Sequence, residues 1–171
     1  MKRLIAYLCG LVLLLTGCQA VVTVTPPAEP SPTVTPAAEI RPALGEDFSL
    51  KAGETARFEE VGLQLTFTEV VRDSRCPADV QCVWSGIVDV QLTAELPPQP
   101  AESFVVGGTT DREGNVLGSV VEMSGPTEWW YAGYTVTLKQ VTPYPKQANA
   151  PIPPANYTVT LVVEPAKPGD P

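Results

Sequence analysis

The chain has 171 residues, with 11 basic and 19 acidic side chains, no histidine and a formal charge of −8 at neutral pH. That balance disfavours nucleic acid and anionic headgroups as ligands, since both need clustered cations. The lack of histidine removes the Ser-His and Cys-His nucleophile systems and the commonest mixed zinc sets.

Lys2 and Arg3 precede an apolar run from Leu4 to Leu15. A charged start followed by a short apolar stretch is the pattern of a secretory signal peptide, expected over residues 1–17. The run is shorter than the roughly 18 apolar residues a spanning helix needs. "LTGC", Leu15 to Cys18, follows at the cut site and resembles the lipobox of bacterial lipoproteins. That resemblance implies acylation of Cys18, cleavage before it, and a location on the extracytoplasmic face of the cell envelope. One acyl chain anchors only marginally, whereas two or three hold firmly. Cleavage would discard Cys9, Lys2 and Arg3 but no acid, taking the net charge to about −10. Gln19, rather than aspartate, follows the cysteine, which resembles outer-membrane lipoproteins of two-membrane bacteria.

Residues 18–45 read as a tether. Residues 19–45 hold six prolines among Thr, Ala and Glu. Proline fixes φ and removes donors, so such a stretch favours extended polyproline II and buries too little to fold. A folded domain is expected over 46–164, with a disordered tail over 165–171.

Inside the domain the apolar period is two. Leu63, Leu65 and Phe67 alternate with polar residues, as do Val88, Val90, Leu92 and Ala94. Tyr134, Val136 and Leu138 repeat the pattern, and so do Tyr157, Val159, Leu161 and Val163. Period two with one polar face predicts antiparallel strands packed on one side. Turn signals at "KAGE", "LPPQP", "GGTTDREGN" and "PYPKQANAPIPPAN" separate the runs. The fold expected is an all-β antiparallel sandwich, immunoglobulin-like in architecture, with about seven or eight strands.

"DSRCPADVQCVWSG", Asp73 to Gly86, carries Cys76 and Cys82. In an oxidising compartment these two are the remaining pair and are expected to form a structural disulfide. A closed loop of seven residues contributes about 2.4 kcal/mol in the chain-entropy treatment. A zinc site wants four ligands, and a thioredoxin-type centre wants Cys-x-x-Cys on a helix. The box, with "GLQLTFTEVVRDSRCP" upstream and "YTVTLKQVTPYP" and "YTVTLVV" downstream, resembles uncharacterised bacterial secreted proteins sharing an SRCPxxVxCxWxG-like box. The resemblance implies a small β domain and no particular activity.

Three further stretches invite functional readings. In "EWWYAGY", a strand running in phase to Leu138 points Trp129 and Tyr131 outward, available to stack on a glycan or anchor a partner. In "RCPADVQC", the cyclised loop suggests a protease inhibitor with Arg75 as its specificity residue, or a metal or redox site. In "TTDREGN", Asp111, Glu113 and Asn115 echo a calcium loop but lack its full spacing, so a hairpin turn is expected. Glu59 and Glu60 are adjacent and would face opposite ways on a strand. No cofactor, metal or enzymatic activity is expected. The anticipated role is a non-catalytic binding or structural module, held at the membrane by its lipid, with an envelope protein or a glycan as partner.

Overall fold

A computed structural model describes residues 39–120 and 122–169. The signal segment 1–17, Cys18, the tether as far as residue 38, and residues 170–171 lie outside the described residues. Ten strands are present among them: β1 (Glu39–Ile40), β2 (Phe48–Lys51), β3 (Thr55–Phe58), β4 (Leu63–Asp73), β5 (Val88–Glu95), β6 (Glu102–Thr110), β7 (Val116–Gly118), β8 (Glu128–Tyr131), β9 (Tyr134–Thr142) and β10 (Thr158–Pro165). The one helical element among the described residues is a 3₁₀ turn at Pro154–Asn156.

The strands form two facing sheets. One has the order β1-β3-β4-β5-β6-β7, the other β2-β10-β9-β8. All pairings are antiparallel except β1 with β3. The period-two pattern explains why: each long strand turns one set of side chains inward. Leu63, Leu65 and Phe67 of β4 and Val88, Val90, Leu92 and Ala94 of β5 are buried. Val159, Leu161 and Val163 of β10 meet them from the other sheet in one core cluster. Phe48 and Phe58, from opposite sheets, pack edge to face at 5.4 Å and 77°, the geometry that ring quadrupoles favour.

The sandwich expected from the sequence is thus observed, with more strands. The additional ones are β1, β7 and β8, two to four residues each. Elements that short carry too few alternations to register as a period. In β1, Glu39 and Ile40 lie in the stretch expected as tether. They pair with Thr55 and Ala56. Glu39 also receives a hydrogen bond from Arg57 that holds its carboxyl below the usual range, and Arg41 pairs with Glu59 at 2.6 Å.

Strand directions gather the long connections at one end. The β4–β5 connection (74–87), the β6–β7 turn (111–115) and the β9–β10 connection (143–157) all lie there, with the β2–β3 turn. An isolated bridge between Asn115 and Gln140 ties the two sheets together beside it. This end, the loop pole, carries the candidate site.

Candidate functional site

β4 ends in Asp73, and the chain turns back over its own end so that Arg75 points into the protein. The Arg75 side chain is fully buried and Asp73 nearly so. The guanidinium Nε donates to Asp73 Oδ1 at 2.9 Å and Nη2 donates to Oδ2 at 2.6 Å. This is the bidentate fork that arginine forms with carboxylates. Its remaining donors reach across to the other sheet, to the carbonyls of Val141 at 2.8 Å and Pro143 at 3.0 Å. Tyr157 Oη donates to Asp73 Oδ2 at 2.9 Å. Burial, and then the negative charge of Asp73, push the Tyr157 phenol up to about 12. The Tyr144 ring lies 5.3 Å from the guanidinium carbon, and its hydroxyl donates to the carbonyl of Cys76 at 2.7 Å. One buried charge pair therefore fastens the β4–β5 connection to the β9–β10 connection.

The disulfide sits directly above this anchor. Cys76 and Cys82 are bonded, with their Cα atoms 5.9 Å apart. The ring is held from both sides. Ala78 N donates to Pro145 O at 3.0 Å, and Asp79 Oδ1 accepts from Ala148 N at 3.0 Å. Cys76 N donates to Ser85 O at 2.9 Å, closing the neck of the loop. Gly86 completes the neck with a φ of 75°, and a Cβ there would lie 2.0 Å from the carbonyl oxygen of Ser74. Only glycine tolerates both the left-handed conformation and that approach.

What the loop presents outward is apolar. Val83 projects fully into solvent at 105% relative exposure, with Trp84 at 48% and Val80 at 41%. Beneath Trp84 runs an open groove of about 520 Å³, between the disulfide loop, the β6–β7 turn and Tyr144. Thr110 lines it, and Thr110 Oγ1 is the one buried side-chain polar atom without a hydrogen-bond partner among the described residues. Asp111 shapes the facing turn. Its Oδ1 accepts from the amides of Glu113 and Asn115, and its Oδ2 accepts from the Asn115 side chain at 2.8 Å. The hydrogen bond from Asn115 leads the contacts that hold the Asp111 carboxyl below the usual range. The expected hairpin turn is what the carboxylate serves.

Two readings of the sequence are corrected here. Trp129 and Tyr131 do not face outward. Tyr131 is buried, its hydroxyl donating to Pro100 O at 2.8 Å and accepting from Leu96 N at 3.1 Å. Trp129 is half-buried, stacked on Phe104 at 5.4 Å and 6°, with Nε1 donating to Glu102. The outward member of the cluster is Trp130. The phase inverts because the segment is not one strand: Tyr131 pairs with Tyr134 across a two-residue turn. Ala132 and Gly133 have φ of 50° and 87°, the pair of positive values of a type I′ hairpin. Arg75, the second correction, is inaccessible as a specificity residue because its guanidinium is spent inside the fold.

Asp89 went unrecognised in the sequence. It stands on the polar face of β5 yet is 3% exposed. Its carboxylate accepts from Arg72 and from Gly125 N at 3.0 Å, and Arg72 reaches the Met123 carbonyl as well. This pins Met123 and Gly125 over the outer face of β5. The readable signal was Gly107, opposite Asp89 in register, where a Cβ would lie 2.1 Å from Asp89 Oδ1. A glycine inside a strand marks close approach.

Compared with known proteins, the chain matches no family model, no curated protein and no solved structure.

Proposed function

We propose that this protein is a bacterial envelope lipoprotein: acylated at Cys18, spaced from the membrane by a proline-rich tether, and ending in a non-catalytic β-sandwich that makes its contacts through the loop pole. The lipobox-like "LTGC" after a charged, apolar start supports the anchor. The contact role rests on one observation. A loop fastened by a disulfide, a buried Asp73–Arg75 pair and Tyr144 holds Val80, Val83 and Trp84 out in solvent. Apolar side chains fixed in place before binding lose little entropy on contact. Trp84 thus takes the role the sequence had suggested for Trp129 and Tyr131.

The test of the anchor is the mass of the mature N-terminus from a bacterial host. The chain should start at Cys18 and carry two or three acyl chains, and Cys18→Ser should leave an uncleaved, unacylated precursor. A mature chain that starts elsewhere without acyl mass would refute it.

A further inference from the structure

The apolar tip has a recognisable chemistry. Across Pro77–Ser85 the single formal charge is Asp79, and its carboxylate is occupied by the Ala148 amide. Of the seven exposed large hydrophobic residues among the described residues, Val80, Val83 and Trp84 lie on this loop. Val71 and Leu117, also exposed, lie near the same pole on β4 and β7. In a mature chain of net charge about −10, a nearly uncharged, protruding apolar tip suits an apolar surface that makes no demand for cations. Tryptophan is the side chain best suited to a membrane–water interface, with an apolar body and one polar N–H.

The chain's entry into the domain points the same way. Glu39 stands opposite Thr55, which stands opposite Thr66, while Phe58 stands opposite Leu63. β1 therefore runs away from the Asp73 end of β4, and the described chain begins on the side facing the loop pole. Residues 19–38 separate Cys18 from β1. Twenty residues reach on the order of 60 Å even as an extended proline-rich spacer. An anchor at Cys18 would keep the tip at high effective concentration near the bilayer, where a weak contact suffices.

We propose that the tip formed by Val80, Val83 and Trp84 docks into the interface of the lipid bilayer that carries the anchor, holding the domain loop pole down. The proposal rests on the lipoprotein reading above. The mode is apolar, so it should be insensitive to salt and operate on uncharged phosphatidylcholine.

The test uses the mature acylated protein in phosphatidylcholine vesicles, with or without brominated acyl chains, which quench tryptophan on contact. Wild-type fluorescence should fall in brominated vesicles, and Trp84→Phe should remove most of that fall. Val83→Asp should weaken the tip–lipid equilibrium about tenfold or more, the equivalent of one buried aliphatic side chain. Both positions are exposed, so circular dichroism should confirm an unchanged fold. An acylated chain whose Trp84 stays unquenched overturns the docking alone. A chain without acyl mass at Cys18 removes the anchor and this inference together.

Discussion

Replacing Arg75 by methionine leaves an uncompensated buried charge at Asp73. The substitution keeps much of the side chain's length but removes both bonds to the Asp73 carboxylate and both bonds to the Val141 and Pro143 carbonyls. Asp73 would be left buried with only the Tyr157 hydroxyl and the residue 75 amide as donors. Breaking a buried pair from one side costs about 3–5 kcal/mol, far more than the pair itself contributes. In a domain of this size that lowers Tm by on the order of 10–20 °C. The diagnostic partner is Asp73→Asn/Arg75→Met, which removes the charge but keeps an acceptor for Tyr157 and for the residue 75 amide. If the charge is what costs, the double variant recovers at least half of the loss. Urea unfolding followed by tryptophan fluorescence measures all four corners of the cycle. A single variant costing below about 1 kcal/mol, or a double variant no more stable than the single, would refute the reasoning.

Three other outcomes follow from the geometry. The Tyr157 phenol is raised to about 12 from an ordinary 10, so the folded state prefers the neutral form. Its contribution is full below pH 10 and is lost as pH rises from about 10 to 12. A phenolate absorbance titration of wild type minus Tyr157→Phe should show that late step, and an ordinary step near 10 would contradict it. Gly86→Ala should destabilise by more than about 1 kcal/mol, because the new Cβ meets both a φ of 75° and the Ser74 carbonyl; an unchanged melting temperature would mean the loop neck relaxes. Trp129→Ala should cost about 3 kcal/mol, as expected for deleting a packed aromatic, through loss of the Phe104 stack, and thermal unfolding would show it.

The local pattern of the sequence determined much of this molecule. Strict alternation in the long strands fixed the all-β class and most of the core, because side-chain direction along an extended chain depends on parity alone. The cysteine pair was legible too, since two cysteines at this spacing in a chain without histidine left few alternatives to a disulfide.

Tertiary structure decided the rest, wherever an outcome hinged on contacts distant in sequence. The two-residue turn at Ala132 and Gly133 reversed the phase of Trp129 and Tyr131, and an alanine at positive φ gives little local warning. Arg75 looks like a surface residue until the carbonyls of Val141 and Pro143, 66 and 68 positions away, supply its acceptors. Asp89 follows strand parity outward but is covered by a connection whose Gly125 lies 36 residues on. A polar side chain is buried when distant groups satisfy it, and only the folded chain brings those groups together. The exposed tip at Val83 and Trp84 belongs to the same class, since the anchors that hold it are spread from β4 to the β9–β10 connection.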